Sequence, residues 1–159
     1  LHCSSAASDV YKRQHNIMTQ SIIQEASVYC ERNKHRLTEP RVQVLRIIAS
    51  CSRPPGAYEI LAELGKIVRN PKPPTVYRAI EFWQEHGFIH RIESLNAYVI
   101  CEAGHRHKGA QFMICNDCGI VIETHLCELP KSLKESTAKN AFVPSRWNLE
   151  IHGICKNCL

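Results

Sequence analysis

Nine cysteines and nine histidines in 159 residues are the groups through which this chain could do chemistry. Four of the cysteines form two Cys-x-x-Cys pairs, Cys115-Asn116-Asp117-Cys118 and Cys155-Lys156-Asn157-Cys158. Two intervening residues let both thiolates of a tight turn face one ion, and two such turns close a tetrahedron around it. Gly119, directly after the first pair, supplies the backbone freedom of such a turn. An odd cysteine count excludes a complete set of intrachain disulfides, and in a reducing compartment this spacing favours metal. A structural zinc site is therefore predicted, with a small subdomain folded inside the 36-residue spacer between the pairs. Two redox dithiols or four reduced core cysteines are the alternatives for the same residues. A closed four-thiolate cage leaves no position for water, so it is not catalytic. The His-x-Glu and Pro-Cys-x-x-Cys signature of a zinc deaminase is absent.

A second group of ligand-type residues lies apart from these pairs: His90, Cys101, His105, His107, Glu123, His125 and Cys127. Mixed His, Cys and Glu donors suit a divalent transition ion, and a thiolate among them tilts the preference toward zinc. Taken singly, each has an ordinary surface reading, and His105-Arg106-His107 alone could be a solvated loop. As a cluster they could hold an ion whose occupancy depends on how two parts of the chain are placed. Cys30 and Cys51 are predicted to be scattered buried thiols.

The elements that must position these groups follow from periodicity and breakers. Ile22, Ala26 and Tyr29 recur at helical spacing, predicting a first amphipathic helix to about Asn33. Thr38 is a candidate N-cap, with Pro40 in the first turn, for a second helix that buries Val42, Leu45 and Ile48. Ser52-Arg53-Pro54-Pro55-Gly56 stops it. A third helix is predicted over Ala57 to Val68, with Ile60, Leu61 and Leu64 inward, and a fourth over Thr75 to His86, with Val76, Ala79, Ile80 and Trp83 inward. Two strands, 88–93 and 97–101, joined around Ser94-Leu95-Asn96, read as a hairpin. Several helices closed by a hairpin is the order of a winged helix-turn-helix, although a plain α+β domain has the same order. Beyond a boundary near Val99, strands 111–115 and 120–123 flank the first Cys-x-x-Cys turn. A helix over 129–140 and an alternating strand over 146–154, with Trp147, Leu149 and Ile151 on one face, complete the chain.

Basic charge gathers in the first half. Residues 18–98 hold 11 Lys+Arg against 8 Asp+Glu, and 99–159 hold 7 against 6. Between Arg32 and Arg53 six basic residues meet a single Glu39. Tyr77, Arg78 and Glu81 lie off the buried stripe of the fourth helix, and a helix N-terminus beside Lys72 suits phosphate. On charge alone an ordinary solvated helix surface accounts for this as well. No apolar run approaches membrane-spanning length. Residues 1–17 lack apolar periodicity and the apolar centre of a signal peptide. They resemble translated vector sequence and are predicted to be a non-native or disordered leader, with Met18 as the native start. A cytoplasmic location is expected.

The motifs taken in order resemble one family. Arg36-Leu37-Thr38-x-Pro40-Arg41, Lys72-Pro73-Pro74-Thr75-Val76-Tyr77-Arg78-Ala79 and Gly87-Phe88-Ile89-His90-Arg91 come first. Tyr98-Val99-Ile100-Cys101, Phe112-Met113-Ile114-Cys115-x-x-Cys118-Gly119 and Glu150-Ile151-His152-Gly153-Ile154-Cys155-x-x-Cys158 follow. The chain is similar to the ferric uptake regulator family, and within it to the zinc-sensing members. That resemblance implies an α+β protein, with an N-terminal winged helix-turn-helix DNA-binding domain (18–98) and a small C-terminal α/β dimerisation domain (99–159). It implies a homodimeric repressor of zinc-uptake genes acting on a pseudo-palindromic double-stranded operator, with no enzymatic activity, no small-molecule substrate and no membrane. Two Zn²⁺ per chain are implied. Cys115, Cys118, Cys155 and Cys158 match the structural site. His90, Cys101 and Glu123 match the regulatory one, with His107 (His105 in reserve) completing it from a loop that departs by about one residue. Tyr77 and Arg78 would approach bases, Arg41, Lys72 and Tyr58 would hold the DNA backbone, and Thr75 belongs to the same DNA-binding set. Iron, nickel or peroxide sensing is the alternative within the family; a Cys-x-x-Cys thiol oxidoreductase is the alternative outside it.

Overall fold

The computed structural model describes residues 5–101, 109–124 and 128–159, with side chains from residue 18 onward. Helix α1 spans Ser5–Arg32. It thus runs through most of the residues expected to form a non-native or disordered leader. Residues 5–17 contain neither Gly nor Pro and include Ala6, Ala7, Lys12, Arg13 and Gln14. Once the packed segment fixes the helix, adding such residues to its end is easy. That packed segment buries Ile22, Ala26 and Cys30, four residues apart, on one face.

Helices α2 (Glu39–Ser50), α3 (Ala57–Ile67) and α4 (Pro73–Glu85) complete the helical half. Thr38 is the extended N-cap residue of α2, with Pro40 in the first turn, as its sequence predicts. At the start of α3 the Glu59 carboxylate accepts the Gly56 N–H at 2.7 Å, satisfying one of the N-terminal donors. Helix α4 starts two residues before its predicted Thr75, because two prolines suit a first turn whose N–H groups need no partner. Val76, Ala79, Ile80, Phe82 and Trp83 of α4 are buried, and the Trp83 indole N–H donates to the Arg41 carbonyl at 2.8 Å, tying α4 to α2. Gly87, at φ +69°, turns the chain out of α4.

Strands β1 (Ile89–Ile92) and β2 (Ala97–Ile100) form an antiparallel hairpin with Asn96 in the left-handed region. The Tyr98 N–H donates to the Pro55 carbonyl, so the hairpin is stitched to the segment before α3. This is a winged helix-turn-helix. Its core joins α1 to α4 with Phe88, Ile89 and Tyr98.

The second half is a three-stranded sheet ordered β4-β3-β5, from β3 (Gly109–Cys115), β4 (Val121–Thr124) and β5 (Trp147–Gly153), with helix α5 (Lys131–Lys139) before β5. β3 and β4 are an antiparallel pair, whereas β3 and β5 run parallel. The parallel pairing sets Cys115 opposite Gly153, so both Cys-x-x-Cys turns leave the sheet at the same end. The inner face of this sheet, Ala110, Phe112 and Ile114, shares a second small core with Ile92 of the wing. Among the described residues no helix is long and apolar enough to cross a membrane.

Candidate metal centres and nucleic-acid face

Where β3 and β5 end, four sulfurs converge. The ligand atoms of Cys115, Cys118, Cys155 and Cys158 all lie within 4.8 Å of one another. Cys118 Sγ stands 3.7 Å from Cys155 Sγ, which stands 3.6 Å from Cys158 Sγ. Four thiolates bound tetrahedrally to one zinc would stand about 3.8 Å apart, so this donor set fits that ion. Each knuckle is closed by its own backbone: Gly119 N–H donates to the Cys115 carbonyl and Cys158 N–H to that of Cys155. Gly119 takes φ +71°, the conformation its position after the first pair requires.

The electrostatics of the cluster are uneven. Backbone N–H groups of Cys118, Cys155 and Asp117 stabilise the Cys115 thiolate and lower its pKa to about 6. The Cys155 and Cys118 sulfurs push the Cys158 thiol up to about 12. Without a cation, one negative sulfur forms easily and opposes the next. A divalent ion is the partner that lets all four be thiolates. Among the described cysteines, the two outside both clusters are Cys30, buried, and Cys51, half-buried. Burial raises the pKa of both, which suits inert packing groups.

The second cluster spans the two halves of the molecule. His90 comes from β1, Cys101 from the end of β2 and Glu123 from β4, and their ligand atoms lie within 4.8 Å of one another. His90 Nε2 is 3.5 Å from Glu123 Oε1, with both side chains largely shielded from solvent. Donors on one tetrahedral zinc would stand about 3.4 Å apart at Zn–N and Zn–O distances near 2.1 Å. Three donors of the predicted set are therefore assembled at a suitable spacing. Phe112, fully buried, makes an edge-type ring contact with His90, the centroids 6.3 Å apart. His105 and His107, as well as His125 and Cys127, lie outside the described residues. Cys101 N–H donates to the Phe88 carbonyl at 2.9 Å, which holds this ligand at the point where the chain leaves the wing.

The candidate nucleic-acid face is the exposed N-terminal end of α4. Lys72, Tyr77 and Arg78 are exposed and Thr75 is half-buried, opposite the stripe that packs inward. Tyr58 on α3 is 79% exposed, leaving its ring and hydroxyl open to a partner. Arg41 is placed differently. Its guanidinium lies 3.5 Å over the Phe82 ring and donates to the Arg36 carbonyl, so part of its donor capacity is used within the fold.

Two residues escaped the sequence reading. Asn148 and Glu150 project from the inner face of β5 onto the wing. Glu150 accepts the N–H groups of Glu93 at 2.7 Å and Ser94 at 3.2 Å, and the Asn148 side-chain amide donates to the Arg91 carbonyl at 3.1 Å. Burial alone would raise the Glu150 pKa, but the Ser94 and Glu93 donors outweigh it and hold the carboxyl below its ordinary value. The available signal was alternation: Trp147, Leu149 and Ile151 on one face place Asn148 and Glu150 together on the other. Polarity alone directs that face to solvent rather than to backbone.

The model of the ferric uptake regulator family matches residues 32–152. The zinc uptake regulation protein of Escherichia coli (strain K12) is 36% identical over 143 residues, covering 89% of this chain and 83% of that protein. The peroxide operon regulator of Bacillus subtilis (strain 168) is 24% identical over 126 residues, covering 77% and 83%. A solved structure of a zinc uptake regulator complexed with zinc and DNA superposes with a TM-score of 0.76 at 35% identity, covering 88% of this chain and 94% of that one. A winged helix followed by a sheet carrying two metal-type clusters, matched over that length, places this chain in the ferric uptake regulator family.

Proposed function

We propose that this protein is a zinc-responsive transcriptional repressor of zinc-uptake genes, working as a homodimer on a pseudo-palindromic operator in the cytoplasm. The observation that carries it is the cluster of His90, Cys101 and Glu123 between the wing and the second sheet. A sensor must bind its ion differently in two arrangements of the protein, and a site with donors on both halves meets that condition. The thiolate favours zinc over iron or manganese. Greater identity to the zinc regulator than to the peroxide regulator points the same way. Cys115, Cys118, Cys155 and Cys158 would hold a second, structural Zn²⁺, giving two ions per chain, and His107 (His105 in reserve) would complete the sensor site.

The bound ion supplies a divalent charge that makes neutral imidazole, thiolate and carboxylate stable at one point. His90 on β1, Cys101 at the exit from β2 and Glu123 on β4 would hold it, and that shared hold would limit how the winged helix sits on the second half. Tyr77, Arg78 and Thr75 would enter the major groove at the start of α4, while Lys72, Tyr58 and the remaining donors of Arg41 meet phosphates. The solved zinc- and DNA-bound relative supports this use of the fold.

The test uses zinc content and operator binding, with a duplex selected from a random pool by the zinc-loaded protein. Cys101→Ser is expected to lose the exchangeable ion and zinc-dependent binding while keeping its secondary structure. Cys115→Ser is expected to lose the tight ion and the folded second half. Equal loss of structure in both would refute the division into sensor and scaffold. Restoration of binding by iron, nickel or peroxide chemistry but not by zinc would favour the other family readings. Turnover of a disulfide substrate would favour a thiol oxidoreductase.

A further inference from the structure

The wing is gripped at both ends of β1, and only one grip belongs to the metal cluster. Phe112 sits at the centre of the three-stranded sheet, paired with Glu123 on β4 and with Glu150 on β5. The two carboxylates therefore flank one buried ring on the same face of the sheet. Glu123 faces His90 at the start of β1. Glu150 faces the far end, taking the Glu93 and Ser94 N–H groups on its two oxygens. Asn148 adds a donor to the Arg91 carbonyl and braces Glu150 Oε1 at 3.2 Å. Between the grips, Ile92 is fully buried against Ala110, Phe112 and Ile114.

Glu150 takes two backbone N–H groups together with the Ser94 side chain, and Asn148 donates to a backbone carbonyl, so the contact acts largely on the position of the hairpin. A carboxylate accepting two N–H groups makes charge-assisted bonds, stronger than neutral ones. Its side chain is only 14% exposed, which limits competition from water.

We propose that Glu150 and Asn148 are positioning residues that latch the wing to the second sheet, and that the operator-binding pose needs this latch as well as the metal cluster. The inference deepens the proposed function and rests on it. The geometry of leverage supports it. His90 and Cys101 both lie where the hairpin leaves the rest of the chain, so an ion bound there holds the hairpin near its pivot. Glu93 is three residues further along, about 10 Å at strand rise. An attachment at that distance removes the rotation that a single anchor allows. Because the latch and the zinc cluster close on the same arrangement, loss of one weakens the other.

The experiment compares wild type with Glu150→Ala, Glu150→Gln and Asn148→Ala, each loaded with zinc. Operator affinity is read with the pool-selected duplex, zinc content by direct assay, and amide exchange at Glu93 and Ser94 by NMR. Glu150→Ala is expected to weaken operator binding roughly tenfold at saturating zinc, the loss of a charge-assisted pair. It should also speed exchange at those two amides and weaken the exchangeable ion, while the tight ion stays. Glu150→Gln, which keeps an acceptor without the charge, should fall between Ala and wild type. Asn148→Ala carries the test if Glu150→Ala does not fold. Unchanged affinity and unchanged exchange in Glu150→Gln and Asn148→Ala would overturn the latch. The exchange readout separates the two ideas. Protected Glu93 and Ser94 amides that Glu150→Ala exposes, in a protein without zinc-dependent binding, would refute the proposed function and the latch's part in it while leaving the contact itself. Unprotected amides in a protein with zinc-dependent binding would refute the latch alone.

Discussion

Gly109 opens β3 directly beneath the indole of Trp147, its register partner in β5. A Cβ built there would lie 1.8 Å from the ring, far inside van der Waals contact. The ring must shift if the position becomes Ala, and because it lines a cleft of about 250 Å³ with His90, Arg91 and Asn148, its shift disturbs that lining. Gly109→Ala is therefore expected to destabilise the second half by about 1–3 kcal/mol, the usual range for overpacking. Denaturant titration followed by circular dichroism would measure it, and an unchanged midpoint would show that the ring swings away freely. The displaced ring would also disturb Asn148 next to it, so operator binding should suffer in the same variant. None of this is visible in the residue order. A glycine after a polar, His-rich stretch reads as loop, and only the indole stacked on it shows why no side chain fits.

At the scale of elements, α4 divides its residues cleanly between packing and exposure. Val76, Ala79, Ile80 and Trp83 lock it against α2, leaving the orientation of Tyr77 and Arg78 to the rigid helix rather than to a loop. Arg78→Ala should cost about 1–3 kcal/mol of binding and relax sequence preference, whereas Lys72→Ala should weaken all duplexes alike and reduce the salt slope by about one ion. Competition between the selected duplex and random DNA over a salt series checks both. Identical effects of the two substitutions would remove the assignment of base and phosphate roles. Helices α2 to α4 and the wing were legible in the sequence because amphipathic spacing, Pro73 and Gly87 act locally. The four cysteines were legible because two knuckles carry their own geometry. His90, Cys101 and Glu123 were readable as donors, but their meeting depends on β4 lying beside β3 and on Ile92 packing against Phe112. The parallel partnership of β3 with β5 left no local mark, nor did the latch from Glu150, since both depend on contacts across more than thirty residues.

For the whole molecule, the second sheet buries Ala110, Phe112 and Ile114 beside Glu123, Asn148 and Glu150 on its inner face, and leaves a row of apolar side chains on the outer one. Glu150 and Asn148 serve the wing, whereas Met113, Ile122 and Ile151, paired across β4, β3 and β5, form a row 40%, 43% and 46% exposed. Among the described residues α5 buries none of its side chains, and Leu133, Phe142 and Val143 are exposed around it. Apolar side chains aligned across three strands and beside a helix with no core of its own need cover. In the proposed homodimer a second copy of the chain would supply it. In a two-fold interface each substitution occurs twice, so one charge placed in this row acts on both sides. Ile151→Asp is expected to raise the dimer dissociation constant at least 100-fold, about 1.4 kcal/mol from each copy. Sedimentation equilibrium would show the shift to monomer, and zinc content should confirm that the four-cysteine site is intact. Operator binding should then depend on the square of protein concentration over a range where wild type shows no such dependence. A variant that stays dimeric with unchanged affinity would move the interface off this sheet, most directly onto the exposed face of α5. A variant that becomes monomeric yet binds the operator as tightly would show that one winged helix, held by its zinc cluster and latch, is enough.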